Sequence, residues 1–342
     1  MRKVKVEKAV GYVLAHDITE IIPQRKKDVA FKRGRIIEQE DVEHLLDLGK
    51  NYVYVMEGNE KAVHEDEAAR RIAEAVMDEH MAPAPPKEGR INISSTVDGL
   101  VSVNTKRLHE MNSVEHVLLT VVPDRYPVKA GELVAATRIV PLYIDEKTLR
   151  KAERLGKQGI VRISPFKRMK AGLVVTGSEV FTGRIKDGSP IVEERLRNYG
   201  LEIVGKEFAP DDVTRIRDAI TKLFGKGADL VITTGGLSVD PDDVTKEGVA
   251  ATGARTVLYG APVFPGAMFL VARLRGKYIL GAPACVFYSR NTILDIVLPW
   301  VLAGVNVTKN DILKLAYGGL CLNCGECHYP NCFFGKGRWI ST

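Results

Sequence analysis

Asp229–Thr245, DLVITTGGLSVDPDDVT, is the stretch from which the rest of the chain is read. It begins with Leu230, Val231 and Ile232, an apolar run suited to a strand buried on both faces. Gly235 and Gly236 follow, where backbone turns sharply or lies against a ligand. Ser238, Asp240, Pro241, Asp242 and Asp243 then read as the start of a helix. Asp240 suits the N-cap, Pro241 the first helical position, and the two further carboxylates the positive end of the dipole. Strand, glycine loop and helix N-terminus is how open α/β sheets hold anionic ligands.

The alternation continues on both sides. From Ala171, LVVTG reads as a strand and SPIVEERLRNYG as a helix, with Ser189 at its N-cap and Gly200 at its end. LEIVGKEF is the next strand, and DDVTRIRDAITKLFGKG an amphipathic helix with Val213, Ile216, Ile220, Leu223 and Phe224 on one face. Beyond the glycine loop come a helix through Val249, the strand RTVLYG, a short helix AMFLVARLRG, the strand KYILG and a long apolar helix ACVFYSRNTILDIVLPWVLAGV. Right-handed crossovers between such strands predict an α/β fold, a doubly wound and mainly parallel sheet. A smaller α+β and β-rich N-terminal region accompanies it. The strand ends place Thr176–Glu179, Thr234–Asp243 and Gly281–Ala284 on one rim, where ligands bind in this architecture.

TTGGLSVDPDDVT resembles the signature of the molybdopterin-binding fold, shared by molybdopterin adenylyltransferases, molybdenum insertases of the MoeA type and CinA-like proteins. Gly-Gly followed by Ser resembles the insertase version; Asp242, Asp243 and Thr245 resemble the Asp-Asp-x-Thr of the CinA version. Three further pieces fit in order. AGLVVTGSEV (Ala171–Val180) is similar to the insertase opening strand and its TGDE loop, with Ser178 where that family usually has Asp. PVFPGAM (Pro262–Met268) resembles the family's Pro-Gly loop, and LGAPACVF (Leu280–Phe287) its Leu-Pro-Gly-Asn-Pro loop, with Ala282 and Ala284 in place of more typical residues. AVGYVLAHDITEI (Ala9–Ile21) resembles the insertase opening more weakly.

The resemblance implies a site. Thr176, Gly177, Ser178, Glu179, Thr234, Gly235, Gly236, Ser238, Asp240, Pro265, Gly266 and Pro283 would hold the cofactor, and Asp243 and then Asp242 would act in catalysis. The implied ligand is molybdopterin, whose phosphate suits the glycine loop, with Mg²⁺ and molybdate beside the carboxylates. A molybdoenzyme or another cofactor-synthesis protein as partner, and assembly as dimers or trimers, are also implied. Cys285 stands at a helix start, where a thiol's pKa can fall, but the favoured reading is a buried, inert Cys.

Composition bounds the alternatives. The chain has 342 residues, 45% hydrophobic and 27% charged, with a formal net charge of +6. The excess is too diffuse for nucleic acid, since no dense Lys/Arg run is interleaved with aromatics. No apolar run suits a bilayer span or a signal peptide, which predicts a cytoplasmic location. Residues 1–60 read as an α+β region with a helix around Val42, Leu45 and Leu46. Residues 61–165 read as a helix bearing Ile72 and Val76, a proline linker and a β-rich module ending in a basic helix. Residues 166–310 form the α/β domain and residues 311–342 a cysteine-rich tail.

In that tail CLNCGECHYPNC places Cys321, Cys324, Cys327 and Cys332 at spacing C-x2-C-x2-C-x4-C. Four thiols so close suggest one metal centre rather than a disulfide framework. The stepped triplet approaches the ferredoxin run, with a last gap one residue longer and Pro330 inside it, and favours an iron–sulfur cluster over Zn²⁺, which usually takes two separated pairs; redox-labile free thiols are the remaining alternative. Such a tail is foreign to the usual insertase pattern. Three functions follow: molybdate insertion, as in a molybdopterin molybdotransferase; a non-enzymatic sensor, carrier or chaperone with a metal- or redox-responsive tail; and, more weakly, CinA-like nucleotide hydrolysis.

Overall fold

A computed structural model describes residues 2–22, 26–56 and 62–337. The chain divides into two compact units. The first comprises residues 1–94, 104–121 and 133–161. Its start packs Leu14, Ile18, Phe31, Leu45 and Val55 around the helix Gln39–Asp47. Its remainder sets the helices Glu65–Val76 and Glu146–Gly156 beside a four-stranded antiparallel sheet. Arg71 joins those helices, reaching Glu153 at 2.8 Å and Glu146 at 2.9 Å. The helix Thr105–Asn112, capped by the Asn104 side chain, lies within the module expected to be β-rich.

The second unit, residues 95–103, 122–132 and 162–342, contains a six-stranded sheet. Its elements are β1 (Lys170–Thr176), α1 (Ser178–Phe181), α2 (Pro190–Asn198), β2 (Glu202–Ala209), α3 (Val213–Gly225), β3 (Leu230–Thr234), α4 (Thr245–Ala251), β4 (Arg255–Tyr259), β5 (Leu270–Leu274), β6 (Lys277–Ala282) and α5 (Ile293–Leu302). The spatial order is β2-β1-β3-β6-β5-β4. Pairings β1–β2, β1–β3 and β3–β6 are parallel, and β5 is antiparallel to both β6 and β4.

Alternate residues of the central strands feed two cores, as a strand's period of two requires. Leu173, Val175, Leu230, Ile232 and Leu280 face α2 and α5. Val174, Val231 and Ile279 face α3 and α4. Helices therefore cover both faces, and the doubly wound, mainly parallel sheet is present.

Two expected helices differ. Ala267–Gly276 is not a helix: Leu270–Leu274 is strand β5, joined to β6 by Arg275 and Gly276, both at positive φ (49° and 84°). Such a two-residue turn carries the twist of a hairpin. The apolar run Ala284–Val305 is not one long helix. A short 3-10 turn spans Ala284–Phe287, and α5 begins anew at Thr292, whose side chain caps it together with Asp295. Every residue of α5 is buried. No helix among the described residues is long and apolar enough to cross a membrane.

Candidate functional site

The parallel strands end on one edge. Thr176 pairs with Ala209, Val175 with Thr234, and Thr234 with Ala282. Tyr259, Leu270 and Gly281 lie in register across β4, β5 and β6, which brings the loop from Gly260 to Phe269 to the same edge. The segments expected to share a rim are thus brought together.

At its centre lies the bend after β3. Gly235 and Gly236 have φ of 88° and 57°, conformations that L side chains avoid. They also lack room. A Cβ at Gly235 would overlap the Thr176 carbonyl oxygen, and one at Gly236 the Thr245 hydroxyl. Buried Thr176 donates to the Thr234 carbonyl at 2.9 Å, and its hydroxyl lies 2.9 Å from that of Thr245. The Thr245 N–H returns to the Gly236 carbonyl at 3.1 Å.

Beyond the glycines the loop is closed on itself. Asp243 accepts the Ser238 N–H at 2.7 Å, and Asp240 accepts the Asp242 N–H at 3.1 Å. The helix begins at Thr245, with Val244 at its N-cap, and not at Asp240–Pro241. The Asp240 side chain caps a tight turn instead, because its carboxylate and carbonyl serve the amides of Asp242 and Asp243. Asp240 and Asp242 are exposed, and Asp243 half-buried.

Gly177 and exposed Ser178 and Glu179 start α1 at the neighbouring strand end. Pro265 and Gly266 sit at the start of α5: Pro265 accepts the Ile293 N–H at 3.3 Å, and Gly266 presses on the Ile293 side chain. Pro283 opens the 3-10 turn after β6. Cys285 in that turn is half-buried, and burial pushes its thiol up rather than down.

Two rim residues escaped the sequence reading. Asp211 accepts the Ser178 N–H at 2.8 Å, and its own N–H donates back to the Ser178 hydroxyl at 3.2 Å. Adjacent Asp212 caps α3, which leaves Asp211 for this clasp; the Asp-Asp doublet was the available signal. Tyr259 donates its hydroxyl to the Leu237 carbonyl at 2.7 Å, holding the glycine loop from β4. Nothing in RTVLYG marks that role.

Two sets of charged contacts involve α2. Lys206 bridges Asp187 and Glu193 at 2.9 Å each. Burial works to raise the Asp187 carboxyl, but hydrogen bonds from Ser189 and the Lys206 ammonium hold it below the usual range. Arg195 meets Asp295 at 2.9 Å, and burial leaves the Asp295 carboxyl above its ordinary value despite that partner. A cavity of about 480 Å³ runs past this pair and is also lined by Lys129, Lys167, Arg168 and Arg290.

A second cavity, of about 440 Å³, is lined by Cys321, Cys324, Cys327 and Cys332. Cys321 and Cys332 are half-buried, Cys324 and Cys327 exposed. Among the described residues no three His, Cys, Asp or Glu side chains are gathered tightly enough to hold an ion. The segment is nevertheless joined to the α/β domain. The Cys321 N–H donates to the Phe264 carbonyl at 2.8 Å, and Tyr329 donates to the Asp295 carbonyl at 2.9 Å. Phe334 lies in the same core as α5, only 3% exposed.

Residues 172–303 match a family model described as a probable molybdopterin binding domain, and residues 3–57 one described as a domain of unknown function (DUF8806). A CinA-like protein of Mycolicibacterium vanbaalenii is 39% identical over 95 residues, 28% of this chain and 22% of that protein. A CinA-like protein of Mycobacterium sp. (strain MCS) is 33% identical over 109 residues, 32% of this chain and 26% of that protein. The chain thus spans about a quarter or less of the length of these relatives. Among solved structures, the molybdopterin biosynthesis enzyme MoaB of Thermus thermophilus is 20% identical with a TM-score of 0.32, over 40% of this chain and 97% of that one. The tungsten cofactor synthesizing protein MoaB of Pyrococcus furiosus is 21% identical with a TM-score of 0.30, over 40% and 93%.

Proposed function

Because residues 172–303 carry a domain of the molybdopterin-binding family, we propose that the chain binds molybdopterin at the Gly235–Asp243 rim and acts in synthesis or delivery of the molybdenum cofactor. The observation that carries this reading is the Gly235–Gly236 bend. Its backbone is pressed so closely on Thr176 and Thr245 that no side chain fits, which supports a ligand contact made by backbone. On this reading the terminal phosphate of molybdopterin lies against that backbone and the Ser238 hydroxyl. Thr176, Gly177, Ser178, Glu179 and Thr234 form the neighbouring wall, and the loops at Pro265–Gly266 and Pro283 the far one.

The enzymatic form of the proposal is insertion of molybdate into molybdopterin or its adenylylated form. Asp242 and Asp243 then position Mg²⁺ or molybdate. A molybdoenzyme partner, assembly of two or three copies and a cytoplasmic location belong to the same proposal.

One observation favours a carrier or sensor without turnover. Asp240 and Asp243 each already accept an amide of their own loop. Turnover separates the two. Full-length protein, purified anaerobically, is given adenylylated molybdopterin, Mg²⁺ and molybdate. AMP release that is lost in Asp243→Ala supports the insertase. Micromolar or tighter binding without release supports the carrier. Absence of binding sinks both.

A further inference from the structure

We propose that Cys321, Cys324, Cys327 and Cys332 ligate a [4Fe–4S] cluster seated in the 440 Å³ cavity they line. The site is independent of the molybdopterin reading, since none of its four ligands belongs to the glycine rim.

The four thiols line one cavity. A single Zn²⁺ would draw all four sulfurs to about 2.3 Å of one centre. A cubane is different: each of its four irons takes its own thiolate, so the four ligands stand apart around it. The stepped spacing, with Cys332 five residues after Cys327, fits the same body.

The segment is held at both ends. Cys321 is tied to Phe264 through its N–H, and Cys332 precedes buried Phe334 by two residues. Cys324 and Cys327 lie exposed between them. Assembly joins four thiolates to two ferric and two ferrous ions and four sulfides, releases the four thiol protons to solvent and leaves a centre of net charge about −2 with no change of oxidation state.

The surroundings suit that charge. Asn291 donates its side-chain N–H to the Cys327 sulfur at 2.8 Å, the kind of bond that tunes a cluster's potential. Arg290 lines the cavity and donates to the Gly325 carbonyl at 3.2 Å. Lys336 donates to the Cys332 carbonyl. Arg290, Asn291 and Tyr329 also line the cavity beside Arg195, so the cluster's cavity and the cationic one share a wall.

The test is anaerobic reconstitution of the full chain with equal amounts of ferric and ferrous iron and sulfide, followed by metal and acid-labile sulfide analysis. The expected product holds about four iron and four sulfide per chain, with a broad charge-transfer absorption that bleaches on reduction. The doublet Cys324→Ala/Cys327→Ala should lose the cluster. Both residues are exposed, so an unchanged melting temperature of the apo form shows that folding is intact. Cys285→Ala, outside the cavity, should retain it, and Asn291→Leu should retain it at an altered reduction potential. Zinc without sulfide, or a cluster that survives the doublet, overturns the proposal.

Discussion

The hydroxyls of Thr176 and Thr245 meet at 2.9 Å directly beneath Gly236. Through this contact the end of β1 and the start of α4 hold one glycine bend between them. Gly236→Ala forces a left-handed backbone onto an L side chain and displaces the Thr245 hydroxyl. The expected cost is about 2 kcal/mol in denaturant unfolding. A greater loss in molybdopterin affinity than in stability marks the bend as the ligand contact.

Asp243→Asn keeps the shape of the side chain and weakens its acceptance of the Ser238 N–H. Loop stability should fall by about 1 kcal/mol, read as faster hydrogen exchange at the Ser238 amide. If Asp243 serves only the loop, AMP release in the turnover assay changes no more than binding does. A loss of release with binding intact assigns it to chemistry.

Arg195→Met leaves Asp295 buried without its cation. Breaking a buried pair in this way costs about 3–5 kcal/mol. The pH sense is set by Asp295, whose carboxyl burial has raised. Its contribution is fullest where it is protonated and is lost as pH rises through its folded value. The deficit of Arg195→Met should therefore grow from acid to neutral pH and shrink in Arg195→Met/Asp295→Asn.

Glu146 shows the opposite sign. Hydrogen bonds from Arg71 and then Arg150 hold its carboxyl down to about 2, from an ordinary 4.5. Its contribution is complete above 4.5 and is lost as pH falls towards 2. The side chain is 36% exposed, so solvent screening keeps the effect modest. Thermal midpoints of the wild type should drop more over that interval than those of Glu146→Gln.

Much of the α/β domain was legible because its strands are buried on both faces. Leu230–Thr234 and Leu173–Val175 are apolar or β-branched runs that tertiary context has no reason to override. Leu270–Leu274 was not legible. LVARL fits a buried strand and an apolar helix turn equally well, and Arg275-Gly276 lacks the Asn or Asp that usually marks a hairpin. In the site, the two glycines were readable from their backbone requirement. The duties of Asp240 and Asp243 were not, since a carboxylate that caps a helix and one that closes a loop look alike in sequence. Asp211 and Tyr259 act through partners on other strands, and no local pattern reports that.

Phe334 and Tyr329 close one side of α5, the most apolar helix of the domain. During synthesis α5 emerges before either residue exists to cover it. The domain therefore remains an unsealed intermediate until the chain beyond Phe334 has been made, and its completion is a late event. A fragment ending before Cys321 would keep every strand of the sheet and still expose the flank of α5, a surface prone to self-association. Any boundary drawn between the α/β domain and the tail on sequence grounds cuts through a single compact unit.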